Sequence, residues 1–420
     1  MRAERKLFGT DGVRGAVGSF LNAELATTLG RAATASLEAR RPQVLIIRDT
    51  RESGPMLEAA LAAGIASAGG DAFLAGVLPT PAAAILVRRL GFDLAAVVSA
   101  SHNPFADNGI KFFDGRGQKL ADEVESRIES LLDGCPEAEE PGRVSELNGG
   151  LEDYLRELEA AFRLDLGARR VLLDCANGAT FRAAPAIFER LGAEVEAIGV
   201  EPDGRNINAG CGSTHVEALA ERIAASEAEI GFAFDGDELI ALAARGLAAR
   251  GELEGGVVVT VMSNFGFHSA MEEAGVEVAV TQVGDRYVID EMRRRGWRLG
   301  GEQSGHIIAS DFAATGDGIA AALMTMRELG SAPLEDAIPM RKLPQVLENV
   351  RVLDREAVAG ADAVWAAVDR EEAGLRGRGR VLVRPSGTEP LVRVMVEAPT
   401  GEEAEAVCGR LVGIVRDELA

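Results

Sequence analysis

A chain of 420 residues, 47% of them apolar, can build several hydrophobic cores and, at ordinary domain sizes, about three domains. Its 44 Lys and Arg against 66 Asp and Glu leave a formal charge of −22, which argues against a nucleic-acid partner or an anionic membrane surface, since both need a basic face. Cys135, Cys175, Cys211 and Cys408 lie far apart with no Cys-x-x-Cys pair, so free thiols in a reducing compartment are expected rather than a disulfide framework or a zinc site. No apolar stretch is long enough to span a bilayer, and the charged residues 1–6 lead into no apolar run. No signal peptide is expected, and the expected location is cytoplasmic.

In chain order, Leu7-Phe8-Gly9-Thr10-Asp11-Gly12-Val13-Arg14-Gly15 reads as a loop with close backbone approaches. Its Arg14 is either a surface ion-pair partner or an anion clamp. Asn22 can cap a helix reaching to about residue 40. A strand over 44–47, a helix over 52–69, a strand over 72–77, a stiff Leu78-Pro79-Thr80-Pro81 connection, a helix over 82–90 and a strand over 94–98 follow. This alternation predicts a largely parallel sheet covered on both faces. The stretch from Ala100 to Asn108 then forms a short loop, stiffened by Pro104 and tied by Asn103 and Asn108. Asn108-Gly109 reads as a turn pair and 110–113 as another strand. Ser101 therefore sits just beyond a strand end, where open α/β sheets gather ligands. Its loop is either a hydrogen-bonded turn or the seat of a nucleophile that carries a phosphoryl group. A helix over 121–133 and a Pro-, Gly- and Glu-rich linker over 134–150 close the first unit.

The second unit has a helix over 151–162, strands over 171–173, 195–200 and 230–234, helices over 183–191 and 216–225, and a Gly- and Asn-rich loop over 204–214. Strands ending at Asp49, Asp174 and Asp235 hint at a repeated α/β unit. Asp235-Gly236-Asp237 is either a turn or a pair of hard oxygen donors for Mg²⁺. A helix over 238–248 opens the third unit. There Gly284-Asp285-Arg286-Tyr287 starts a helix, and Gly300-Gly301-Glu302-Gln303-Ser304-Gly305-His306 mixes hydroxyl, carboxylate and imidazole in a way that suits sugar hydroxyls. Asp317 is read as a helix cap and nothing more. In the last unit, Arg384-Pro385-Ser386-Gly387-Thr388-Glu389-Pro390 joins two strands, as a phosphate loop helped by Arg384 and Arg393 or as a tight hairpin.

Taken together, these features resemble the α-D-phosphohexomutases over nearly the whole chain. Ala100-Ser101-His102-Asn103-Pro104 and the loop from Arg384 to Pro390 are the most specific matches. Phe8 to Gly15, Gly284 to Tyr287 and Gly301 to His306 resemble the phosphoglucosamine branch. The resemblance implies three related mixed-sheet α/β domains (1–150, 151–237, 238–341) and a smaller α+β C-terminal domain (342–420) around a central cleft. It implies a phosphorylated Ser101 that donates to glucosamine 6-phosphate, a bound 1,6-bisphosphate, and release of glucosamine 1-phosphate. Arg14, His102, Lys111 and His306 would serve the chemistry with Ser101. One Mg²⁺ would be held by Ser101, Asp235, Asp237 and Glu238. Arg286, Glu302 and Ser304 would bind the sugar, and Arg384, Ser386, Gly387, Thr388 and Arg393 its non-reacting phosphate. Glucosamine or glucose 1,6-bisphosphate would activate. The partner would be a small phosphosugar, with no nucleic acid and no membrane, and the chain a monomer or homodimer.

One departure stands out. The family's metal loop reads Asp-Gly-Asp-x-Asp-Arg, whereas here Asp237 is followed by Glu238-Leu239-Ile240, the start of a helix. The expectation is a deletion of a strand and a turn, roughly ten to twenty residues at usual element lengths. Weakened Mg²⁺ binding and low or absent mutase activity are expected with it. A mutase of other hexose phosphates and a non-catalytic phosphosugar-binding homologue remain as alternatives.

Overall fold

The computed structural model describes residues 7–9, 11–135, 138–213, 215–232, 237–303, 305–386 and 389–419. The first repeat runs β1 (Val13–Ala16), α1 (Ala23–Ala35), β2 (Gln43–Arg48), α2 (Gly54–Ser67), β3 (Asp71–Val77), α3 (Thr80–Leu90), β4 (Leu94–Val98), β5 (Asp107–Asp114), α4 (Asp122–Ser130) and β6 (Val144–Glu146). Its sheet has the order β1-β5-β4-β2-β3-β6, with β2 parallel to β3 and β4, and β5 antiparallel to β4 and β1. The apolar run of β4 is buried at every position, as its composition foretells. Val44, Ile46, Ala96 and Val98 pack with Leu29, Leu57 and Leu61 in one core. The crossing of α1 over α2 depends on two glycines. A Cβ at Gly30 would lie 2.4 Å from Leu61 O, and one at Gly64 would lie 2.0 Å from Thr27 O.

Three expectations need correction here. The helix capped by Asn22, whose side chain accepts from Leu25 N, stops at Ala35 rather than near residue 40, with Ser36 as its C-cap and the Ser36 hydroxyl on Ala33 O at 2.7 Å. Asn108-Gly109 is no turn but lies inside β5, paired with Gly15 and Arg14 of β1. The linker adds β6 to the sheet, parallel to β3.

The second repeat runs α5 (Gly150–Phe162), β7 (Arg170–Asp174), α6 (Ala183–Arg190), β8 (Glu194–Ile198), α7 (Val216–Ala224) and β9 (Ile230–Phe232). Among the described residues its sheet has three strands, β8-β7-β9, all parallel. The third repeat runs α8 (Asp237–Ala249), β10 (Gly256–Thr260), α9 (Phe265–Glu273), β11 (Glu277–Thr281), α10 (Asp285–Arg295), β12 (Leu299–Gly301), β13 (Ile307–Ala309), α11 (Gly318–Leu329) and α12 (Leu334–Ala337). Its sheet order is β11-β10-β12-β13, with β13 antiparallel to β12. The three sheets share one plan: β3-β2-β4, β8-β7-β9 and β11-β10-β12 correspond strand for strand. In the first and third the loop after the third strand turns back into an antiparallel fourth, β5 or β13. In the second, residues 233–236 are all that separate β9 from α8.

The remainder holds β14 (Gln345–Arg351), a 3₁₀ turn over Arg355–Gly360, α13 (Asp362–Leu375), β15 (Arg380–Pro385), β16 (Leu391–Glu397) and α14 (Gly401–Leu419). Its antiparallel sheet, β14-β16-β15, is backed by α13 and α14 through Val392, Val394, Val396, Leu411 and Val415. By packing, the chain divides into two compact units, Met1–Val261 with Ala279–Ile338, and Met262–Val278 with Pro339–Ala420. The segment Met262–Val278 falls in the second of these units by packing. Among the described residues no helix is long and apolar enough to cross a membrane.

Candidate active site

Ser101 adopts a left-handed backbone, φ 54°, at the crown of the β4–β5 connection. For a side chain with a Cβ that conformation costs on the order of 1–2 kcal/mol unless neighbours impose it. Here they do. Arg51, fully buried, donates from Nη2 to Ser101 O at 2.9 Å and Asn103 O at 2.8 Å, and from Nη1 to Asp107 O at 2.9 Å and to Pro104 O. Its Nε bonds Asp49 Oδ2 at 2.9 Å, which also takes the Ser99 hydroxyl at 2.7 Å, and Ser99 Oγ in turn accepts from Ser101 N at 3.2 Å. From the second repeat, Asn208 Nδ2 reaches Ser101 O at 2.9 Å. Asn103 binds Asp107 instead of the backbone, and Asn108 binds Ser53 Oγ and its neighbour's N–H. The expected Asn ties are therefore secondary to a buried arginine that no local motif singles out.

His102, beside the serine, meets His306 of the third repeat, ring edge toward ring face, with centroids 5.8 Å apart. Partial enclosure, then the charges of Arg14 and Lys111, hold the His102 imidazole below its ordinary proton affinity. Burial does the same to His306, aided by His102, Lys111 and Lys119 and opposed by Asp285. Lys111, on β5, is pushed down by burial and by the cations of Lys119 and Arg14 against the pull of Asp11. Lys111 Nζ lies 3.4 Å from Asp11 Oδ2, which also pairs with Arg14. Lys119 Nζ completes the cluster, 2.7 Å from Asp11 Oδ1 and 2.7 Å from Asp285 Oδ2. Asp11 is stripped of water by burial, yet the three cations hold its carboxyl far below the usual range. Glu302, 7% exposed, is pushed up to about 7 by burial and by Asp285, with the Gly284 N–H and Lys119 working the other way.

Ser101, Arg14, His102, Lys111 and His306 are thus drawn into one charged neighbourhood, with Glu302 joined to it through Asp285 and Lys119. Arg286 is engaged elsewhere. It pairs with Asp122 and lies 4.0 Å from Asp290, on a groove of about 1130 Å³ lined by Phe8, Lys119, Asp122, Tyr287 and Arg293. Asp237 is buried at the start of α8, with Glu238 half-buried beside it. Asp235, Ser304, Gly387 and Thr388 lie outside the described residues. Asp11, Lys119, Asp285, Arg51 and Asn208 are additions to the sequence-derived set. Asp11 and Asp285 stand inside motifs already singled out, but Lys119 sits in a polar turn with no local signal.

In the C-terminal unit, Arg384 on β15 and Arg393 on β16 are direct cross-strand partners. Among the described residues neither makes an ion pair with a carboxylate, and Arg393 Nε is buried without a hydrogen bond. Burial and the facing Arg393 both work against the Arg384 charge. Like charges opposed in a ladder destabilise it unless an anion lies between them. Ser386 is buried at the loop's start, its N–H bonded to Leu391 O at 2.8 Å.

The donor chemistry of Asp237 and Glu238 fits a hard cation such as Mg²⁺. Among the described residues, however, no group of three or more His, Cys, Asp or Glu is set to hold a metal ion.

Comparison with known proteins agrees with this geometry. Residues 5–138 match the family Phosphoglucomutase/phosphomannomutase, alpha/beta/alpha domain I, residues 235–340 its domain III, and residues 347–414 its C-terminal domain. The phosphoglucosamine mutase of Pelotomaculum thermopropionicum is 47% identical over 440 aligned positions, covering 98% of this chain and 99% of the relative. That of Moorella thermoacetica is 49% identical over 436, covering 97% and 98%. Both alignments are longer than the 420-residue chain, so the relatives carry residues it lacks. A phosphoglucomutase/phosphomannomutase family protein from Burkholderia thailandensis superposes with a TM-score of 0.82 at 22% identity, covering 97% of each chain. Aspergillus fumigatus N-acetylphosphoglucosamine mutase, in complex with GlcNAc-6P and magnesium, superposes at 0.68 with 19% identity, covering 99% and 96%. The chain belongs to the α-D-phosphohexomutase family, in its phosphoglucosamine mutase branch.

Proposed function

We propose that this chain interconverts glucosamine 6-phosphate and glucosamine 1-phosphate, with Ser101 carrying the phosphoryl group. The Oγ–P bond of phosphoserine 101 breaks as a bond forms to the sugar's O1, giving a bound 1,6-bisphosphate. After the sugar turns over, Ser101 Oγ takes the 6-phosphoryl group, and the proton that left O1 is matched by one returned to O6. Lys111 and His306, whose proton affinities are lowered by burial, accept and return that proton. Glu302, with Ser304, grips sugar hydroxyls, and Arg14 steadies negative charge in transit. In the C-terminal unit, Arg384, Ser386, Gly387, Thr388 and Arg393 are the proposed holders of a sugar phosphate.

The observation that carries this reading is the meeting of the Ser101 loop with the third repeat's Gly-rich loop, through His102 and His306, beside Lys111. Mg²⁺ is proposed to be held by Asp237 with Glu238 and Asp235, where it would neutralise phosphoryl charge. The protein is proposed to act in the cytoplasm as a monomer or homodimer, activated by a sugar 1,6-bisphosphate.

A second reading, a phosphosugar-binding chain with little turnover, is favoured by the second sheet, which among the described residues has three strands and no antiparallel fourth. A coupled assay with Mg²⁺ titrated, a panel of glucosamine, glucose and mannose phosphates, and intact-mass detection of phospho-Ser101 test both readings. Turnover that is lost in Ser101→Ala supports the mutase. A Ser101 that glucose 1,6-bisphosphate cannot load supports the binder.

A further inference from the structure

We infer that Arg51 and Asn208 are positioning residues for the nucleophile, gripping the Ser101 carbonyl from two repeats and imposing its left-handed backbone; the inference rests on reading Ser101 as the phosphoryl carrier. The carbonyl oxygen of Ser101 accepts two bonds of 2.9 Å, one from Arg51 Nη2 of the first repeat and one from Asn208 Nδ2 of the second. Both donors also reach Asn103 O, at 2.8 and 3.4 Å. An L-residue at φ 54° relaxes toward extended or right-handed backbone unless its carbonyl is pinned, and here it is pinned twice.

The loop that brings Asn208 is itself interlocked with the turn that carries Arg51. Glu52 N donates to Gly204 O at 2.9 Å and Arg205 Nε to Glu52 Oε2 at 2.7 Å, while Thr50 Oγ1 donates to Asn177 O of the neighbouring turn after β7 at 2.5 Å. Gly204, at φ 92°, comes so near that a Cβ would lie 2.9 Å from Glu52 Cβ. Asn208 is left-handed too, φ 60°, with its N–H on Ala176 O at 2.9 Å. The second repeat's Gly- and Asn-rich loop thereby sets the aim of the first repeat's serine.

Asn208→Gly tests this, since glycine accepts the left-handed backbone and removes the carboxamide that donates to Ser101 O. Asn208→Asp keeps the size and replaces the donor by an acceptor. Loading of Ser101 by glucose 1,6-bisphosphate is followed by intact mass, with kcat and KM for glucosamine 6-phosphate measured alongside. Both variants should load about tenfold more slowly and lose kcat to match, with KM within about twofold, as expected when one hydrogen bond orienting the reacting group is lost. Arg51→Lys, which keeps the charge but not the fork, should fall further. Wild-type loading rates in both Asn208 variants overturn the inference. Loading that survives in Ser101→Ala overturns the carrier assignment instead. If the wild-type chain does not load at all, amide hydrogen exchange over residues 99–108 decides. Exchange about tenfold faster in Asn208→Gly supports the grip, and unchanged exchange overturns it.

Discussion

Lys119 Nζ and Asp285 Oδ2 meet at 2.7 Å, joining the turn after β5 to the first residue of α10. The same ammonium reaches Asp11, so one lysine ties the first repeat's opening loop to the third repeat beside the sugar loop. Its charge also depresses Lys111 and His306 and opposes the rise of Glu302. Lys119→Met should therefore raise all three proton affinities and move the pH–rate profile to the alkaline side. It should cost about 1–3 kcal/mol of stability, because two partly buried carboxylates each lose a partner. Profile and urea denaturation are read together. Lower stability with an unmoved profile would reduce Lys119 to a structural tie.

Glu302 makes stability fall as pH rises. Its carboxyl titrates at about 7 in the folded chain against an ordinary 4.5 once unfolded, so below pH 4.5 both states hold the proton and nothing is lost. Between pH 4.5 and 7 the unfolded chain releases the proton first, and folding loses on the order of 3 kcal/mol over that window. Glu302→Gln removes this slope while keeping the side chain's shape. Unfolding free energy measured from pH 4 to 8 should be flatter in the variant and higher than wild type at pH 8. The variant's KM for glucosamine 6-phosphate should rise, because an amide cannot accept from sugar hydroxyls on both arms.

How much of this was legible in the sequence depends on where each residue's partners lie. The buried strand β4, the Ser101 loop and the Gly301–His306 loop announce themselves locally, by an apolar run or by a dense mix of polar residue types. Asn108-Gly109 misleads because that pair usually marks a hairpin turn. Here glycine serves close packing, since a Cβ at Gly109 would lie 2.7 Å from Ser99 O and 2.8 Å from Arg14 Cγ. Asn208, though inside the Gly- and Asn-rich loop, and Lys119 give no local sign of their partners Ser101 and Asp285, which are 107 and 166 residues away. The edge strand β14 goes unread because most of its side chains face water and supply no alternation.

Tyr154 shows the same limit from another side. Asp317 does cap α11, accepting from Ile319 N and Ala320 N, but its other oxygen takes the buried Tyr154 hydroxyl at 2.7 Å. A helix of the second repeat is thereby fastened to one of the third. Burial pushes the Asp317 carboxyl up to about 6, while the two amides and the phenol hold it down. Tyr154→Phe should destabilise by about 1.5–3 kcal/mol where the carboxylate is ionised. The loss should be larger at pH 8 than at pH 5, where protonated Asp317 no longer needs the donor. Equal losses at both values would contradict a bond to the charged form.

The facing pair Arg384 and Arg393 predicts a ligand effect in the C-terminal unit. With no anion between them the two guanidiniums repel, so Arg384→Gln should leave the free protein as stable as wild type or more so by a few tenths of a kcal/mol. Inorganic phosphate should raise the melting temperature of wild type and not of the variant. An equal phosphate shift in both would place the anion elsewhere.

The three repeats also bear on how the second holds a metal. After β4 the chain loops through Ser101 and returns as β5, and after β12 it loops through Glu302 and returns as β13. Between β9 and α8 only residues 233–236 intervene, and among the described residues the second sheet has no antiparallel fourth strand. A loop pinned at both ends to one sheet holds its side chains more firmly than one pinned at a single strand end. We therefore expect weak Mg²⁺ binding, with half-saturation of mutase activity at least about tenfold above that of a full-length relative, the factor that about 1.4 kcal/mol of lost ligand placement would cause. Titrating Mg²⁺ into both proteins under the same coupled assay measures it. Restoring the relatives' segment between residues 236 and 237 should recover the tighter value. If the unaltered chain already saturates at the relative's concentration, β9 and α8 alone hold the carboxylates in place, and a returning strand is dispensable for the metal.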